Sequence, residues 1–197
     1  MGRVVTLVLA ARPATGLSEP PWLAPWGPTT LIDHVVSEMR AWPVEPGVVV
    51  LGADAEAVLD RTDLSGFTVV IDPEWEEGQA APLRAGVDEV SRHGDITSFV
   101  LTAADIPGID PDLVADLVAA HATHDRAVTA PKYRYARGWP LVVRNDLWPR
   151  LLGLEGDAGI DSLLATHHTW VEDLQVDALA PRTVATPDDL VDLPPRH

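Results

Sequence analysis

The chain has 197 residues, 46% of them hydrophobic, and 14 basic against 30 acidic side chains give a formal net charge of −16. This composition excludes a disordered chain, and the charge opposes binding to nucleic-acid backbones and anionic membranes. The absence of cysteine excludes disulfides, thiolate metal sites and cysteine nucleophiles.

The length suits a single domain spanning 1–197. No apolar run nears the ~20 residues of a transmembrane helix. The start, MGRVVTLVLAA, has a short apolar run after one basic residue. It reads better as a first buried strand than as a signal peptide, so a cytoplasmic location is expected.

In chain order, Val4–Ala10 is apolar without alternation, as in a strand covered on both faces. A proline-rich loop follows, and Thr29 or Thr30 caps a predicted helix to about Trp42. That helix carries Leu31, Val35, Val36 and Met39 on one face. Gly47–Gly52 is a second strand, Ala53–Leu59 a short helix and Phe67–Ile71 a third strand. Pro82 suits the first turn of a helix to about Ser91. Thr97–Ala103 is a fourth strand, and Asp110-Pro111 opens a helix to about His121. Ala127–Ala130 and Gly138–Val143 read as strands, with Pro140 implying an edge or a bulge. Leu147–Leu154 and Gly159–Leu164 read as helices, and Thr186-Pro187-Asp188-Asp189 as a helix start.

Strands alternate with helices four times, which argues for a mostly parallel sheet covered on both faces. Ligands of such sheets bind beyond the carboxyl ends of the strands. Two loops qualify, Ala11–Trp22 and Ala104–Gly108. Asp105, just past the fourth strand, is a hard oxygen donor suited to magnesium or to capping a turn before Pro107. His121 and His124 lie i,i+3 at a helix end, where favourable dipole contact is a simpler account than metal binding. Trp22, Trp26 and Trp139 are candidates for packing or for stacking on a planar ring. Neither G-x-S-x-G, G-x-G-x-x-G nor a Walker loop occurs.

Several stretches recur in an order that resembles the MobA-like nucleotidyltransferase superfamily, closest to molybdenum cofactor cytidylyltransferases. They are LVLAA at 7–11, LAPWGPTTLIDHVV at 23–36, VVVLGADAEAV at 48–58, VIDPEWEEG at 70–78 and LRAG at 83–86. TAADIPGIDPDLV at 102–114, GWP at 138–140, GDAG at 156–159 and TPDDL at 186–190 complete the set. The resemblance implies a Rossmann-like three-layer α/β sandwich of the nucleotide-diphospho-sugar transferase type. It implies transfer of a nucleotide from a nucleoside triphosphate, CTP favoured over GTP, to a phosphate acceptor such as molybdopterin. Magnesium and a molybdoenzyme partner follow from it. The alternative is a non-catalytic relative acting as a binding or accessory module.

Carried over residue by residue, the resemblance implies nucleotide contacts at Leu9, Ala10, Ala11, Arg12, Gly16, Leu83 and Arg84. Asp105 matches the metal-binding aspartate, and Trp139, Pro140 and Asp157 fall on the acceptor side. The first loop departs from the pattern L-A-A-G-x-S-x-R-M-G-x-x-K. Arg12 stands at the first glycine, Gly16 at the arginine and Pro21 at the lysine. Each lost cation would make charge-assisted bonds of ~1.5–3 kcal/mol. The pattern D-x-D-T-P falls on Thr183–Pro187, without its acids.

Overall fold

Apolar residues fill the strands without alternation because helices cover both faces of the sheet. The computed structural model describes residues 2–12, 20–134, 136–186 and 188–191. β1 (Arg3–Ala10) leads to a short antiparallel pair, β2 (Pro25–Trp26) and β3 (Thr29–Thr30). Then come α1 (Leu31–Arg40), β4 (Glu45–Leu51), α2 (Ala55–Arg61), β5 (Thr68–Ile71), α3 (Ala80–Ser91), β6 (Ile96–Ala103) and α4 (Pro111–His121). The second half adds β7 (Val128–Tyr133), β8 (Ala136–Arg137), β9 (Leu141–Arg144) and α5 (Trp148–Leu151). It continues with α6 (Ile160–Thr166), β10 (Val171–Val176) and α7 (Asp188–Val191).

The main sheet runs β10-β7-β9-β6-β1-β4-β5, with β8 paired to β7. β9 is antiparallel to β6 and β7, and the other pairs along that path are parallel. The expected α/β architecture with a mostly parallel central sheet is therefore present. On one face, Val8, Val49 and Leu51 pack with Leu31, Val35 and Leu117 of α1 and α4. On the other, Leu7, Val50 and Leu101 pack with Leu83, Val87 and Leu151 of α3 and α5. Each such aliphatic side chain contributes about 1.5–3 kcal/mol on full burial, which offsets the entropy of ordering the chain.

Helix starts follow local chemistry. Thr30 caps α1 by accepting from the Asp33 backbone N–H at 3.3 Å, while the Asp33 carboxylate accepts from the Thr30 N–H at 3.1 Å. Asp110 caps α4, with Pro111 in its first turn. The Asp189 carboxylate accepts from the Thr186 N–H and hydroxyl, while Pro187 lies outside the described residues.

Three expectations change. The strand expected over Gly138–Val143 begins only at Leu141 and is central, between β6 and β7. Pro140 lies just before the strand, so its missing N–H interrupts no ladder. The helix expected over Leu147–Leu154 is shorter: a 3-10 turn at Asn145–Leu147 leads into α5. β10, with sequence VEDLQV, was not expected, because its acids hide the strand pattern that pairing with β7 creates. No described helix is long and apolar enough to cross a membrane.

Trp22 and Trp26 are core residues rather than a stacking surface. His121, 7% exposed, shares hydrogen bonds with Ser98 Oγ at 3.2 Å and Thr129 Oγ1 at 2.8 Å. His124 reaches the same threonine at 3.1 Å, so the histidine pair is a structural network. Burial pushes the His121 pKa from 6.5 down to about 4. Between these values the unfolded chain binds the proton more readily than the folded one. The stabilising contribution of neutral His121 is therefore complete above about pH 6.5 and falls as the pH drops towards 4. Urea unfolding from pH 7 to 4.5 will show a shallower loss of stability for His121→Gln than for the parent.

Candidate functional site

β1 and β6 lie side by side and parallel at the centre of the sheet. Their carboxyl ends open together, and the Ala104 N–H donates to the Leu9 carbonyl at 3.0 Å across the gap. Asp105 follows directly. Its backbone carbonyl accepts from the Val184 N–H at 2.8 Å, so the carboxyl-terminal segment lies against it. The Gly108 N–H donates to the Glu38 carboxylate of α1 at 2.8 Å, which anchors the far side of the same loop.

The Asp105 side chain is 1% exposed and contacts the guanidinium of Arg12, which is 53% exposed. Neither carboxylate oxygen forms a regular hydrogen bond among the described residues. A buried carboxylate is costly without a counter-ion, and Arg12 supplies that charge. Partial burial pulls the Arg12 pKa below its usual value, and a guanidinium stays charged across ordinary pH.

These two side chains line a cavity of about 200 Å³. Leu9 and Ala11 from the end of β1, and Leu83 from α3, form part of its apolar wall. Gln79, Asp161 and Thr183 are polar groups at its margin. Trp139 lines it too and borders a second cavity of about 250 Å³ with Arg137 and Asp161. The Tyr133 hydroxyl donates to the Trp139 carbonyl at 3.0 Å and holds that segment in place. Burial pushes the Tyr133 phenol up to about 12, so it remains a donor.

Glycines permit the close approaches around the cavity. Gly78 has φ 121°, and a Cβ there would lie 2.5 Å from the Gly156 carbonyl. The Ala80 N–H donates to that carbonyl at 3.0 Å, tying the start of α3 to the G-D-A-G turn. Gly52 meets the base of the first loop, where a Cβ would lie 2.6 Å from the Ala11 carbonyl oxygen.

Leu9, Ala11, Arg12, Leu83, Asp105 and Trp139 therefore converge on one cavity. Ala10 and Pro140 are buried beside it without lining it. Arg84 is directed elsewhere: it donates to the Leu154 carbonyl at 3.0 Å and pairs with Glu74 at 3.3 Å and Glu77 at 3.8 Å. Asp157 is exposed beside Gly78, outside the cavity wall. Gly16 lies outside the described residues.

Asp161 was not singled out from the sequence. It sits in the first turn of α6, four residues beyond Asp157, where an acid also reads as ordinary dipole pairing. Its side chain is exposed to solvent, yet surrounding chain raises its carboxyl pKa by desolvation. Thr183, which stands at the first acid of the family pattern D-x-D-T-P, lies in the cavity wall.

The family model for the MobA-like NTP transferase domain matches residues 6–171. Nicotine blue oxidoreductase of Paenarthrobacter nicotinovorans is 27% identical over 179 residues, covering 87% of this chain and 85% of that one. A solved homologue of Mycobacterium tuberculosis rv0371c, from Mycobacterium sp. strain JC1, superposes with a TM-score of 0.83 at 30% identity. That match covers 97% of this chain and 94% of the other. The Rv0371C protein of Mycobacterium tuberculosis H37Rv, solved in complex with manganese, superposes with a TM-score of 0.81 at 27% identity. There the coverage is 98% and 97%.

Gly52→Ala will force the Ala11 carbonyl or Trp75 Cβ, 2.7 Å from the new methyl position, to move. The expected cost is about 1–3 kcal/mol, read as a lower urea midpoint at unchanged slope.

Proposed function

Because the chain belongs to the MobA-like NTP transferase family, we propose that its central cavity binds the nucleotide of a nucleoside triphosphate for transfer to a phosphate-bearing acceptor. The observation that carries this reading is the pair of adjoining cavities sharing Trp139 and Asp161. A transfer reaction needs two substrates within reach of each other. The first cavity, beside Asp105 and the end of β1, receives the nucleotide, and the motif resemblance favours CTP over GTP. The second receives the acceptor, with the Trp139 ring offering a face to a planar group such as molybdopterin. A molybdoenzyme would then take up the product.

A divalent cation fits the Asp105 carboxylate, whose oxygens have no hydrogen-bond partner among the described residues, and a relative has been solved with manganese. Asp105 would hold it, with magnesium as the expected ion. When bound, such an ion supplies charge neutralisation at phosphate oxygens. The chain's own residues do the rest. Leu9 and Ala11 shape the nucleotide wall, and Arg12 offers a guanidinium fork to phosphate. Leu83 adds apolar wall to the first cavity, and Trp139, which borders both, limits water between them.

A second reading, a nucleotide-binding module without transfer, is favoured by Arg84 being committed to Glu74 and Glu77. That leaves Arg12 as the cationic residue in the described wall of the first cavity. The likeness to a relative named as an oxidoreductase also means that the site, rather than ancestry, decides the reaction.

Calorimetric titration with CTP, GTP and ATP, with and without magnesium, tests the proposal. Magnesium-dependent binding of CTP, lost in Asp105→Ala, is expected. Absence of binding by every triphosphate at about 1 mM, the upper end of ordinary KM values, would overturn it. Binding without pyrophosphate release in the presence of acceptor would favour the second reading.

A further inference from the structure

The contact between Arg12 and Asp105 places a fixed positive charge where the proposed cation would go. Asp105 is almost fully enclosed, and the Arg12 guanidinium lies against its carboxylate. The described residues contain no group of three or more histidine or acidic side chains that could share a metal ion. One carboxylate therefore faces two alternative cations. A guanidinium and a divalent ion held together would place three positive charges against a single negative one. In a poorly hydrated site that arrangement is strongly repulsive.

We propose that Arg12 is the resident counter-ion of Asp105, and that a divalent cation reaches this carboxylate only by displacing it. This rests on the reading of Asp105 as the cation ligand. Arg12 is half exposed, so it can leave the carboxylate without crossing the core. Once displaced, its planar fork is available to phosphate oxygens, which it binds in bidentate fashion. A metal ion arriving alone must compete with the guanidinium. A metal ion arriving with a triphosphate brings the anion that Arg12 needs next. Metal and nucleotide are thereby coupled through one side chain, each raising the affinity for the other by the same factor.

The test is titration of Mn²⁺ alone, and in the presence of CTP, into the parent, Arg12→Gln, Asp105→Asn and the double variant. Free Mn²⁺ is followed by electron paramagnetic resonance. The parent should bind Mn²⁺ weakly alone and roughly tenfold or more tightly with CTP, within the usual range of coupling. Arg12→Gln should bind Mn²⁺ alone roughly tenfold more tightly than the parent, and Asp105→Asn should abolish that binding in both backgrounds. Equal Mn²⁺ affinity in the parent and Arg12→Gln, with Asp105→Asn abolishing both, would overturn the proposal while leaving Asp105 as the ligand. Mn²⁺ affinities that ignore Asp105→Asn would overturn that reading and the proposal together. Arg12→Lys, which retains a charge, covers the case of a poorly folded glutamine variant. It should stay within roughly threefold of the parent, and a tenfold gain in Mn²⁺ affinity would count against the displacement. In the absence of metal, Arg12→Gln should melt below the parent, and adding Asp105→Asn should recover much of the loss. A glutamine variant that melts with the parent would overturn the counter-ion role.

Discussion

A parallel sheet covered by helices on both faces offers a ligand little access except at the ends of its strands. That constraint orders the rest of this molecule. Val8 and Val49 are turned towards α1 and α4, and Leu7 and Val50 towards α3 and α5, so neither face can present chemistry. The carboxyl ends of β1 and β6, at the middle of the sheet, remain. Their parallel pairing puts Arg12 and Asp105 side by side although they lie 93 positions apart in the sequence.

Electrostatics within that opening are unusual for a protein of net charge −16. Nearly all of the basic side chains are arginines, and several are committed: Arg84 to Glu74, Arg92 to Asp88 and Glu89, Arg137 to Asp173. Surface pairs of this kind contribute little stability each. They do fix where positive charge is spent. Arg12 is different because its partner is buried and otherwise lacks donors among the described residues. The same pair neutralises a buried charge at the base of the loop and, on the reading proposed above, sets the condition under which another cation can enter.

Much of the framework was legible because each element carries its own local signal. Thr30 with Asp33 announces a capped helix, Asp110-Pro111 another, and the apolar runs at Val4–Ala10 and Thr97–Ala103 two buried strands. Asp105 was legible as a candidate because it follows a buried strand at the end of the sheet where ligands bind. β10 and Asp161 were not legible. The first owes its strand conformation to β7, a partner remote in sequence. The second owes its place at the cavity to the turn ahead of α6, which is tied to the start of α3 by the Ala80 N–H to Gly156 carbonyl bond and the close approach of Gly78.

The sequence by itself determined the alternation of strands and helices, the covered sheet and the family to which the order of motifs points. These depend on periodicity, caps and short turns, which are properties of neighbouring residues. Tertiary structure alone decided what the candidate groups do. It turned Arg84 outward to its acids, kept Trp22 and Trp26 in the core, brought Asp161 and Thr183 to the cavity and set Arg12 on Asp105. The physical reason is that charge and burial are settled by whichever groups come closest in space. That distance is set by the packing of the sheet and its helices, not by the spacing of residues along the chain.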